Sequence, residues 1–179
     1  METGLMLPWP HEAARIPGDP RSGFFQQEAD TLNRIGKIVV QSSRSTVTVA
    51  RVNDVWVAPL KYGYPADFEK VRGFVRKVAD LKVGQPAPSG ASGLASMGLV
   101  DPSSSASNDA ANVGTRVDFQ DPSGRTVASL LIGKEHRRKA SADSPYGGYA
   151  DGRYVAAGGE ACLVTETFMD LPDQSKAWL

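Results

Sequence analysis

Cysteine occurs once in this chain, at Cys162, and histidine twice, at His11 and His136. A single thiol excludes an intrachain disulfide and any cysteine-rich metal site. Cys162 reads as a small buried strand residue rather than a reactive group. The two histidines have no ligand partner at helical or hairpin spacing, so no zinc or iron site is expected. Neither has an evident acid to hold it as a nucleophilic triad requires, and both read as solvated surface residues. Long apolar runs are also missing: none approaches the roughly 20 residues a membrane helix needs. Met1 to Pro10 lacks the basic start and long apolar stretch of a signal peptide. Net charge is missing too. Lys and Arg number 20, and Asp and Glu number 20, so bulk attraction to nucleic acid is not expected. There is no Gly-x-Ser-x-Gly elbow. The glycine-rich run Gly147–Gly152 lacks the lysine and the strand–loop–helix setting of a phosphate cradle. No catalytic residue, metal ligand or cofactor is assigned.

What is present is enough for one core. A chain of 179 residues with 41% hydrophobic residues fits a single domain. Residues 1–23 carry Pro8, Pro10, Pro17, Gly18, Pro20 and Gly23. They are predicted to form an extended arm ahead of a single α+β domain over residues 24–179. A short helix is expected from Phe24 to Leu32. Strands follow over Lys37–Gln41, Thr46–Val52 and Val55–Leu60. The last two are joined by Asn53-Asp54, which tolerate the positive φ of a tight hairpin turn. Trp56, flanked by Val55 and Val57, is predicted to be a core residue. A principal amphipathic helix is expected over about residues 65–82. Pro65 would sit in its first turn, and Phe68, Val71, Val75 and Val78 would form one apolar stripe against a sheet. Gly84 is the expected stop.

Gln85 to Asn112 is rich in Pro, Ser, Gly, Ala and Asn. It is predicted to be a flexible loop, with Leu99 as its docked residue. Strands resume at Arg116–Gln120 and Thr126–Gly133, across a turn at Asp121–Gly124. A polar loop is expected from Lys134 to Asp151. A hairpin follows, Arg153–Ala157 and Ala161–Thr165 across Gly158-Gly159, and then a short C-terminal helix from near Thr167. The apolar end, Trp178-Leu179, implies either a longer chain or an end that packs down. The order of elements from Ile38 to Leu81 resembles that from Val117 to Leu179, a weak internal repeat in topology. The expected class is therefore α+β: mostly antiparallel sheet with one main helix.

The expected contact surface is the loop between strands. Lys134, Arg137, Arg138 and Lys139 are there with Tyr146 and Tyr149, and long loops on a rigid sheet tend to carry binding residues. A solvated connection with no partner is the bland alternative.

A family resemblance rests on short anchors. They are Phe24-Phe25 and Asn33 before Ile38-Val39-Val40, Trp56-Val57, Gly63-Tyr64-Pro65-Ala66-Asp67 with Lys70-Val71, and Gly98 to Pro102. Further along come Val117-Asp118-Phe119 to Gly124, Leu131-Ile132-Gly133-Lys134, Gly152-Arg153-Tyr154-Val155, Leu163-Val164 and Trp178-Leu179. Over roughly Phe24 to Leu179 the chain resembles the bacterial domain-of-unknown-function family 4340. The resemblance implies an extracytoplasmic α+β domain, often behind an N-terminal membrane helix. Some members accompany gliding-motility-type ABC transport components. The family has no established catalytic residues to carry over, and this sequence departs from it in lacking the membrane helix. The function expected is a non-catalytic accessory or binding module of an envelope ABC-type transport system, with a transport component as its protein partner. The alternative is a small hydrolase or transferase with its site in the 133–154 region.

Overall fold

A computed structural model describes residues 34–81, 84–88, 90–104, 110–139, 148–165 and 178–179. The arm over residues 1–23, the helix expected from Phe24 and the helix expected from Thr167 lie outside the described residues. So do Lys82 and Tyr146.

The strands are β1 (Lys37–Gln41), β2 (Thr46–Val52), β3 (Val55–Ala58), β4 (Tyr64–Pro65), β5 (Thr115–Gln120), β6 (Thr126–Arg137), β7 (Ala150–Ala157) and β8 (Glu160–Val164). The helices are α1 (Phe68–Ala79) and the short α2 (Ala91–Ser96), and a 3-10 turn spans Pro59–Lys61. All eight strands join one sheet in the order β4-β3-β2-β1-β5-β6-β7-β8. Every neighbouring pair is antiparallel. Each half is a meander that runs outward from the central β1–β5 pair. The two four-stranded halves lie back to back, and the helix that the second half of the expected repeat calls for lies outside the described residues. The sheet takes more of the chain than an even α+β balance would give it.

Alternation decides which face is buried. Ile38, Val40, Val47, Val49, Val117, Phe119, Leu130, Ile132, Val155 and Val164 share one face and form the main core. Ile38 pairs with Val49 on one side and with Phe119 on the other, so the pattern locks the register. Asn53 and Asp54 adopt φ 49° and 64° and turn β2 into β3 as expected. Trp56 is buried, 8% exposed.

The helix is shorter than its apolar stripe predicts. It starts at Phe68 because Asp67 is its N-cap: the carboxylate accepts from the amides of Glu69 at 3.0 Å and Lys70 at 3.4 Å. Pro65 therefore precedes the helix and pairs with Val57 in β4. Asp80, not Gly84, is the C-cap. Val71, Phe74 and Val78 pack onto the sheet. Phe74 stacks on Phe119 with centroids 6.4 Å apart and meets Trp178 edge-on at 5.5 Å. Trp178 is buried, and its carbonyl accepts from the Asp67 amide at 2.7 Å. The end packs down.

Within the stretch read as a loop, α2 is followed by Met97 and Leu99, which are buried with Ala161 on the other face of the sheet. Leu99 docks as expected. The edges of the sheet are both blunted. Pro65 removes a donor at one end. At the other, Gln85 and Ala87 bond the β8 backbone: Leu163 N–H donates to Gln85 at 2.9 Å, and Ala87 N–H donates to Ala161 at 2.8 Å.

Candidate functional site

The strand after Val127 does not end at Gly133, where the sequence pattern stops alternating. Bulges between Ile132 and Glu135 and between His136 and Arg137 absorb the irregularity. β6 continues to Arg137 and β7 begins at Ala150. The expected loop is thus shortened at both ends, and charged residues read as loop become cross-strand neighbours. The Arg138 amide donates to the Tyr149 carbonyl at 3.1 Å, one step beyond the last strand pair.

Two clamps hold this end of the hairpin. In the first, His136 Nδ1 lies 2.5 Å from Asp151 Oδ1, and Arg138 Nε lies 3.4 Å from Asp151 Oδ2. The Asp151 carboxyl is held below the usual carboxylate range, chiefly by the hydrogen bond from His136, which outweighs burial. The His136 ring also meets Tyr154 edge-on, with centroids 5.6 Å apart. In the second clamp, Arg153 Nη2 donates to Glu135 at 3.1 Å, and Arg137 lies 3.5 Å from the other oxygen of Glu135. Arg153 Nε is buried with no hydrogen-bond partner.

The residues expected to bind divide into two groups. Arg137, Arg138, Lys139 and Tyr149 come together at the hairpin end, all exposed. Lys134 does not join them. Its Nζ donates to Ser96 O at 3.2 Å and Asn112 Oδ1 at 2.9 Å, and its amide donates to Met97 O at 2.8 Å. It anchors the excursion that carries α2. Gly133 explains the close approach there: a Cβ would lie 2.4 Å from Met97 O.

Sequence reasoning missed the His136–Asp151 pair. His136 is a half-buried strand residue with an acid partner, not a solvated loop residue. Register was the missing signal. With His136 opposite Gly152, Asp151 becomes its neighbour, but the bulges hide that register from simple counting.

The matched family model gives the geometry its context. Residues 56–143 match the family described as Domain of unknown function (DUF4340). The match covers just under half of the chain and supports the resemblance to this family. The DUF4340 match starts on β3 at Trp56, takes in α1, β5 and β6, and passes the hairpin cations at Arg137–Lys139. It is shorter than the Phe24 to Leu179 span of the sequence resemblance. No curated protein and no solved structure matches the chain. Among the described residues, no helix is long and apolar enough to cross a membrane.

Proposed function

We propose that this DUF4340 domain is a non-catalytic accessory module that binds a protein partner, a component of a bacterial envelope ABC-type transport system. The end of the β6–β7 hairpin is its contact surface for an acidic patch. One observation carries the reading. Arg137, Lys139 and Tyr149 project into solvent from a hairpin end that is braced internally by Asp151 and Glu135. Exposed cations on a rigid support favour electrostatic recognition, in which rim charges set encounter rate and partner choice. The exposed apolar side chains Leu60, Tyr62 and Tyr64 also fit a protein that works by contact.

Arg138 pairs with Asp151 and Arg137 with Glu135, so the test reverses Arg137 and Lys139 and records the variant's melting temperature beside its binding. The full chain serves as bait for envelope proteins, with captured proteins identified by mass spectrometry. Wild type should retain a transport component at low salt and release it as salt rises. Arg137→Glu/Lys139→Glu should not retain it. Equal retention by both forms would remove the hairpin end from the contact surface.

A second reading, a small hydrolase or transferase, rests on the His136–Asp151 pair. A carboxylate on Nδ1 orients an imidazole whose Nε2 can act as a base. Turnover of p-nitrophenyl acetate or p-nitrophenyl phosphate by wild type, lost in His136→Ala, would favour it. Equal background rates in the two proteins would discard it.

A further inference from the structure

The apolar stripe of α1 is wider than the sheet that covers it. Val71, Phe74 and Val78 are buried, whereas Phe68 is 54% exposed and Val75 is only partly covered. The uncovered part lines a groove of about 510 Å³. Phe68, Val71, Arg72, Val75, Arg76 and Ala79 form its α1 wall. They recur at three- and four-residue spacing, so they are one continuous face of the helix. That wall runs nearly the whole 12-residue helix, or about 18 Å at 1.5 Å per residue. Ile35, Trp56 and Arg51 form the facing wall.

The shape and chemistry select the occupant. A trough walled along most of one helix accepts another helix, whose side chains enter the spaces between ridges. An extended peptide would need free backbone groups, yet β2 and β3, which supply Arg51 and Trp56, are paired on both sides. The charged lining comprises Arg51, Arg72 and Arg76 against one carboxylate, Asp80. Each arginine meets an exposed acid only loosely: Asp54 at 3.8 Å, Glu69 at 3.9 Å and Asp80 at 3.7 Å. These distances exceed a hydrogen bond, and such screened surface pairs are readily exchanged.

We infer that the groove between α1 and the β2–β3 hairpin binds an acidic amphipathic helix of a partner protein. Its apolar face lies on Phe68, Val75 and Trp56, and its carboxylates meet Arg51, Arg72 and Arg76. This surface is separate from the β6–β7 hairpin end and does not depend on that proposal.

The test uses a fluorescein-labelled peptide of roughly 18 residues, long enough to form helix in water. Leucine recurs at three- and four-residue spacing, and glutamate predominates elsewhere. A second peptide carries lysine in place of each glutamate. Anisotropy titrations use the full chain. The acidic peptide should bind wild type saturably and at least ~10-fold tighter than the basic one. Arg72→Glu/Arg76→Glu should reverse that preference, with the melting temperature nearly unchanged because both side chains are exposed. Phe68→Ser, at an exposed position, should weaken the acidic peptide independently of charge. Arg137→Glu/Lys139→Glu should leave its affinity unchanged. No saturable binding, equal binding of the two peptides, or affinity lost only with the hairpin-end reversal would each overturn the inference.

Discussion

At the scale of single residues, burial and hydrogen bonding say which side chains carry stability. Trp56 sits in β3 between two exposed or half-exposed valines and under the start of α1. Trp56→Ala should destabilise the fold by about 3–5 kcal/mol, the usual cost of truncating a buried aromatic. Denaturant unfolding measures it, and an unchanged midpoint would contradict the core assignment. Among the described residues three carboxyls, Asp101, Asp121 and Asp151, are held below their ordinary value and make stability sensitive to acid. Asp151 is held below the ordinary value of 3.8 chiefly by His136. At Asp101, burial raises the value, but hydrogen bonds from Ser103 and the Arg116 guanidinium outweigh it and the net shift is downward. A depressed folded pKa means the unfolded chain takes up protons first. The stabilisation is therefore complete above the ordinary value and is lost as pH falls through the lower folded values. Asp151→Asn removes one such group. The melting-temperature gap to wild type should be constant above about pH 5 and narrow below about pH 4. A gap as wide at about pH 3 as at about pH 7 would show that Asp151 is not linked to folding.

At the scale of elements, legibility followed how local the signal was. The Asn53-Asp54 and Gly158-Gly159 hairpins, the β1 and β2 alternation and the existence of α1 were readable because each depends on neighbours within a few positions. The start of α1 was misplaced because Pro65 and Asp67 are both good helix-start residues. Only the carboxylate contacts of Asp67 decide between them. The extension of β6 past Gly133 was hidden by bulges, and with it the two clamps. Gly133 itself has a reason that sequence could not supply, the passage of Met97 across the strand. Gly133→Ala should cost about 1–3 kcal/mol, because backbone rather than a flexible side chain must yield. The loss should appear first as faster amide exchange at Met97 to Leu99 and at Lys134. Uniform exchange across these residues in both proteins would mean that the approach is not a constraint.

At the scale of the whole molecule, two four-stranded meanders share one core, and α1 with Trp178 covers part of one face. The sheet offers little free edge: Pro65 blunts one side and Gln85–Ala87 occupy the other. The proposed partner would therefore be met through side chains, and the hairpin end offers exposed cations on a support braced by Asp151 and Glu135. The basic, tyrosine-bearing stretch proposed for contact was visible in the sequence as composition alone. Its division was not, because Lys134 is drawn away by Ser96 and Asn112, residues far from it in sequence. The most direct measurement is amide hydrogen exchange of the full chain alone and with the transport component proposed to bind it. Exchange should slow at residues 137–139 and 148–151 in the complex and stay unchanged along β3 and β4. Protection elsewhere with none at the hairpin end would contradict the account.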